Sequence, residues 1–258
     1  MKKRSGLIGL IMICLVVGFS ASAQAVLIVG DPPDHPNTLP FNSSNGDGPH
    51  TRYQQIYNAG SFPGSLTFNE IQFYNLFALP AIPELPVPFT LTSATYDIFF
   101  STTTVGMNDL SLTFDDNLGA DNALFFSGVL SGVVAPNGTF SIPGNVFTYD
   151  SSLGNLLMDI KISNVTDNHP ENVGGFDAVG AGVGGPSSEV SRISDHCIPE
   201  TNVCDSTSAT VNVFDWIGLV TGFNLKEETT TAVPEPSTML LLGTGLIGFA
   251  FRKKQTLA

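Results

Sequence analysis

Basic residues are scarce in this chain, and so are cysteine and tryptophan. The 258 residues hold 10 Lys and Arg against 23 Asp and Glu, three cysteines and one tryptophan. Six of the ten bases lie at the two ends (Lys2, Lys3, Arg4, Arg252, Lys253, Lys254). Residues 24–236 therefore keep only Arg52, Lys161, Arg192 and Lys226, and four bases against 23 acids leave a formal charge of −19. A surface so acidic repels phosphate backbones and anionic polysaccharide, which excludes nucleic acid as a partner. It favours solubility, divalent cations, and neutral or basic partners.

Sequence signatures of catalysis are missing as well. There is no GxSxG elbow, no HExxH helix, no Walker loop and no GxGxxG after a strand. His35, His50, His169 and His196 all sit in proline- or glycine-rich segments, where a loop position is the default. A triad from His169, Asp167 and a serine would have to assemble in space, and paired carboxylates carry little information among so many acids. The expectation is a non-catalytic protein that needs no cofactor.

Sustained helical periodicity is also absent between the ends, while period-two alternation recurs. It is visible in Leu110, Leu112 and Phe114, in Tyr96, Ile98 and Phe100, and in Leu156, Met158, Ile160 and Ile162, where Asp159 and Lys161 mark an expected wet face. From Leu66 to Phe73 the alternation slips by one between Phe68 and Ile71, the mark of a bulge or bend. Pro136-Asn137-Gly138 predicts a tight hairpin joining 123–134 to 139–142, since Asn-Gly supplies positive φ angles. Residues 30–50 read as an arm or loop, and 164–208 as a long Gly-rich loop. Residues 209–225 predict one or two closing strands. The fold expected is all-β, an antiparallel β-sandwich of jelly-roll type.

The N-terminus carries a charged n-region at Lys2, Lys3 and Arg4, an apolar run over 7–19 and the small-residue site Ala21-Ser22-Ala23. That order predicts a signal peptide over 1–23, a helical segment handed to the secretion translocon, with the mature chain beginning at Gln24. Cys14 falls within it and lacks the small residues of a lipoprotein site. Cys197 and Cys204 then remain as an even pair in an exported chain, a predicted disulfide worth about 2.5 kcal/mol in the chain-entropy model. Their spacing does not match a zinc pair.

At the C-terminus, Pro234-Glu235-Pro236 precedes an apolar run over 239–251 and then Arg252, Lys253 and Lys254. Two prolines hold the backbone extended, a form a processing enzyme can grip. A 13-residue helix measures about 20 Å, short of a hydrocarbon core of roughly 30 Å, so it makes only a marginal anchor. The basic cluster would stop transfer and stay cytoplasmic.

These three parts resemble the PEP-CTERM sorting signal of Gram-negative bacteria, in which the motif, a short hydrophobic helix and a basic cluster are recognised together by the membrane protease exosortase. Pro234, Glu235 and Pro236 match its motif residue by residue. The resemblance covers only the last 25 or so residues and implies export, transient anchoring, and retention at the cell surface or in extracellular matrix. Such tails also occur on some ice-binding proteins, which names the tail and no activity of the domain before it. Phrases such as Arg52-Tyr53-Gln54-Gln55-Ile56-Tyr57 look like those in other bacterial proteins bearing this tail, again with no activity attached. The organisation expected is a signal peptide over 1–23, an exported β domain over 24–228, and a linker with sorting segment over 229–258.

Three roles follow for the β domain. The first is structural or adhesive, with extracellular polysaccharide as a candidate partner. The second is a carbohydrate-binding module, which predicts an exposed row of Tyr53, Tyr57 and Tyr74. The third is a secreted hydrolase, which predicts a pocket where a histidine or two carboxylates converge. Asp109, Asp115, Asp116, Asn117, Asp121 and Asn122 have the oxygen chemistry of a calcium site but not EF-hand spacing, so local Asx turns are the favoured reading. Trp216 and the 19 phenylalanines read as core.

Overall fold

Strands dominate the computed structural model, which describes residues 25–30, 35–42, 50–76, 87–167, 175–180, 189–195 and 217–226. In chain order the strands are β1 (Val26–Val29), β2 (His35–Asn37), β3 (Arg52–Tyr57), β4 (Leu66–Asn75), β5 (Phe89–Thr103), β6 (Ala123–Val134), β7 (Gly138–Tyr149), β8 (Asn155–Asp167), β9 (Phe176–Val179), β10 (Val190–Ser194), β11 (Gly218–Leu219) and β12 (Thr221–Leu225). Every pairing among them is antiparallel. One sheet runs β1-β12-β4-β7, a second β10-β3-β8-β5-β6, and a small third β11-β9-β2. Among the described residues only two short 3-10 turns are helical, and no helix is long and apolar enough to cross a membrane. The expected signal and tail helices lie outside those residues.

The two larger sheets share one apolar core. Phe68 and Phe73 of β4, Phe147 of β7 and Phe223 of β12 meet Tyr57, Tyr96 and Phe100 from the other sheet, all nearly or fully buried. Their rings interlock edge to face: Phe68 lies 5.0 Å from both Phe100 and Phe223, and Tyr57 lies 5.2 Å from Phe223. Such pairs add about 0.5–1.5 kcal/mol each beyond the area they bury. Eleven of the 14 described phenylalanines are buried.

The bulge expected in β4 is present, as a register shift between Phe68 and Glu70 opposite β7. The closing strands expected within 209–225 are β11 and β12. Within the stretch read as a long loop, 164–208, the structure extends β8 to Asp167 and adds β9 and β10. Four- and five-residue strands flanked by glycine and serine leave too little alternation to be read from sequence.

Three other expectations change. The Asn-Gly turn does not close a hairpin, because β6 pairs with β5 and β7 with β4. Asn137 takes the positive φ of 58° that the turn chemistry implied, and its N–H donates to Asn75 O at 2.8 Å. The turn therefore carries the chain from one sheet to the other. Leu110 to Phe114 is not a strand: Phe114–Asn117 is a 3-10 turn, with Phe114 fully buried and Leu112 exposed. Asp159 is not on a wet face. It is 1% exposed, whereas Lys161 two residues on faces solvent. The segment between β5 and β6 folds over this part of the sheet, so β3 is buried on both sides along its whole length.

Candidate functional site

Both ends of the β domain meet at one corner. β12 inserts between β1 and β4, so the last strand is flanked by the first. Leu225 N donates to Ala25 O at 2.9 Å, and Lys226 N donates to Thr67 O at 2.8 Å. Beside this exit lies a recess of about 270 Å³ lined by Ser65, Leu66, Thr67, Thr148, Leu225 and Lys226. Thr67 and Thr148 hydroxyls bond to each other at 3.0 Å, and Lys226 is its one ionisable lining group. Asp150, at the neighbouring turn, has its carboxyl held below the usual range by hydrogen bonds from Ser152 and Ser65. The lining offers hydroxyls and a cation, without a histidine or a carboxylate pair.

The tyrosine row does not exist. Tyr53 and Tyr57 are fully buried. Tyr53 donates its hydroxyl to Gln55 Oε1 at 2.6 Å, and the Tyr57 hydroxyl meets Thr221 Oγ1 at 2.9 Å. Burial pushes Tyr53 up to about 12, partly offset by Arg192 nearby, and raises Tyr57 as well. Tyr74 alone is half-buried, on the outer side of β4, donating to Gln72 Oε1 at 3.3 Å. Period two locates a strand but does not reveal that both its faces are covered.

Three carboxylates of the acidic segment, Asp115, Asp116 and Asp121, bind the protein's own donors. Asp115 binds Arg52 Nη2 at 2.8 Å, Asp116 Oδ2 accepts from Ser111 Oγ at 3.2 Å, and Asp121 Oδ1 accepts from Thr102 N at 2.7 Å. Asn117 is fully buried; its Oδ1 accepts from Ser111 N, and its Nδ2 donates to Gln54 Oε1 and Ser111 O. No group of three or more His, Cys, Asp or Glu that could hold a metal occurs among the described residues.

Sequence reasoning missed the polar network beneath that segment. Arg52 donates from Nε and Nη2 to both oxygens of Asp159, and Gln54 Nε2 bridges Asp159 Oδ1 and Phe114 O. Burial alone would lower the Arg52 pKa, but the hydrogen bonds that Arg52 donates to Asp159 and Asp115, with the negative charge of both carboxylates, outweigh it and raise the value. The available signal was the rarity of bases: an arginine inside a strand, in a domain with only four, calls for a buried acid.

His50, just before β3, has a partner in the structure. It is 7% exposed, and its Nδ1 meets Asp195 O at 2.5 Å and Asp195 Oδ1 at 3.4 Å. Asp195 Oδ2 also accepts from Thr51 N at 2.8 Å and from the Thr51 hydroxyl. With Asp195 N donating to Arg52 O, these bonds fasten the start of β3 to the end of β10. The pair is away from the recess and works as a clasp. Asp167 ends β8, whereas His169 and His196 lie outside the described residues.

Cys197 and Cys204, the sorting residues Pro234, Glu235 and Pro236, and the basic cluster Arg252, Lys253 and Lys254 also lie outside them. No curated protein and no solved structure matches the chain. Residues 232–254 match the family model of the PEP-CTERM protein-sorting motif. The tail that leaves the corner at Lys226 thus carries the PEP-CTERM signal, which marks an exported protein for transient membrane anchoring and for processing by exosortase, a membrane protein.

Proposed function

We propose that this chain is an exported surface or matrix protein whose β domain has a structural or adhesive role and performs no catalysis. The observation that carries the reading is the sorting motif at residues 232–254. The domain is read as a jelly-roll sandwich. The support is its strand order, with β1, β12, β4 and β7 in one sheet and β3, β8, β5 and β6 in the other, as two interleaved Greek keys require. In this reading residues 239–251 form the short anchoring helix, Cys197 and Cys204 form a disulfide, and the processed domain stays at the surface or in extracellular polysaccharide.

Two features favour this over a sugar-binding module or a hydrolase. Two of the three tyrosines that would stack on sugar rings are buried in the core, and the recess beside the exit has no acid or histidine in its lining. A formal charge of −19 over residues 24–236 suits a soluble, mutually repelling matrix component.

The test is intact mass and fractionation of the chain expressed with and without exosortase, wild type beside Pro234→Ala/Glu235→Ala/Pro236→Ala. Loss of the tail only with enzyme and intact motif is the expected result. A tail retained in every case would overturn the sorting role.

A further inference from the structure

We infer that the corner formed by the start of β1, the start of β4, the end of β7 and the end of β12 is the surface the domain turns toward the membrane while its tail is anchored. This rests on the sorting reading of the tail.

The geometry comes from strand pairing. In the four-stranded sheet Leu66 pairs with Tyr149, and Leu225 with Phe68, so these residues share one end with Ala25 and Lys226. Gly30, Asn75 and Gly138 lie at the other end. β4 has ten residues, which separates the two ends by about 33 Å. Lys226 is followed by 12 residues before the apolar run begins at Met239. A chain of that length has an end-to-end distance of about 20 Å as a coil. On average the tether is shorter than the sheet it holds, so the exit end stays near the bilayer, and the far end reaches it only when the domain lies flat. Ala25 leads into β1 at this same corner, so a chain held by its N-terminal segment would present the same surface.

The chemistry of this corner fits a lipid surface. β1 is an edge strand whose outward side chains Val26 and Ile28 are 39% and 45% exposed. Lys226, one of four bases in the domain, stands beside the hydroxyls of Ser65, Thr67 and Thr148. An apolar edge suits the interface of a bilayer, and Lys226 offsets the Asp150 carboxylate held by Ser65, whereas the rest of so acidic a domain is repelled by anionic headgroups.

The test uses the full chain, with its tail, in vesicles of phosphatidylethanolamine and phosphatidylglycerol. A photoreactive side chain replaces Thr148 at the near end or Thr139 at the far end, both exposed on β7. Lipid crosslinking several-fold higher from the Thr148 position is expected, and a long Gly-Ser insertion between Glu228 and Thr229 should reduce the ratio toward one. Equal yields from the two positions in chains that float with the vesicles would overturn this inference and leave the sorting reading intact. Chains that fail to float would overturn the anchored tail, and the membrane-facing corner with it.

Discussion

Arg52 grips Asp159 through two parallel hydrogen bonds, Nε to Oδ1 and Nη2 to Oδ2, each 2.9 Å. Arg52 pairs with Lys161 across the β3–β8 ladder and Gln54 with Asp159, so the ion pair is a diagonal on the covered side of the sheet. The guanidinium is capped by the Phe114 ring, 5.0 Å from its centroid. Both residues are almost fully buried, whereas the second carboxylate on Arg52, from Asp115, is 71% exposed.

Removing one partner of a buried pair strands a charge, so Asp159→Ala should cost about 3–5 kcal/mol. Asp115→Ala removes a screened, solvated partner and should cost at most about 1 kcal/mol. Urea midpoints of the two variants, measured side by side, check the contrast. Similar losses would show that the buried pair is not what holds the covering segment down.

Phe223 tests the closing strand. It packs against Tyr57, Phe62, Phe68 and Phe100, on the one strand that connects β1 to the rest of its sheet. Phe223→Ala should destabilise by about 3–5 kcal/mol. A chain ending at Lys226 should melt cooperatively, and one ending at Trp216 should not, because it lacks β11 and β12. Thermal unfolding followed by near-ultraviolet circular dichroism distinguishes them.

Alkaline pH should unfold the domain through its buried tyrosines. Tyr53 is pushed up to about 12 by burial, and Tyr149 to about 12 by burial and by Asp150. The neutral phenol is favoured in the folded state, so this stability is fully present below the ordinary value of 10.0 and is lost as pH rises toward 12. Between those limits each tyrosine removes about 1.4 kcal/mol per pH unit. Urea midpoints should be flat from pH 8 to 9 and fall above 10, and Tyr53→Phe should make the fall shallower.

Gly154 and Gly64 both have positive φ, 146° and 129°. A Cβ at Gly154 would sit 2.3 Å from Thr103 O, while nothing lies within 4 Å of one at Gly64. Gly64→Ala therefore measures backbone strain alone, of order 1–3 kcal/mol. Gly154→Ala should be distinctly worse, since the ladder between β5 and β8 must open to admit the methyl group. Equal losses of stability in the two variants would contradict this.

Features whose physics is local can be read from linear order alone. The sorting signal is legible because its action depends on linear order: an extended proline pair, an apolar run, then basic charge. β5, β8 and the bulge in β4 are legible because alternation over many residues records which side faces the core. The turn at Asn137 is legible as a conformation, since positive φ is a property of the residue.

Which strands become neighbours, and which faces are covered twice, is set by long-range packing. The same Asn-Gly turn could have closed a hairpin, and pairing of β7 with β4 made it a crossover. Asp159 alternates as an outward residue should, yet the segment holding Phe114 and Asn117 lies over it and turns a solvent position into a buried ion pair. The meeting of Ala25 with Leu225 has no local signature at all. It arises because the last strand fits between the first and the fourth, where its phenylalanine completes the core and both of its hydrogen-bonding edges are filled.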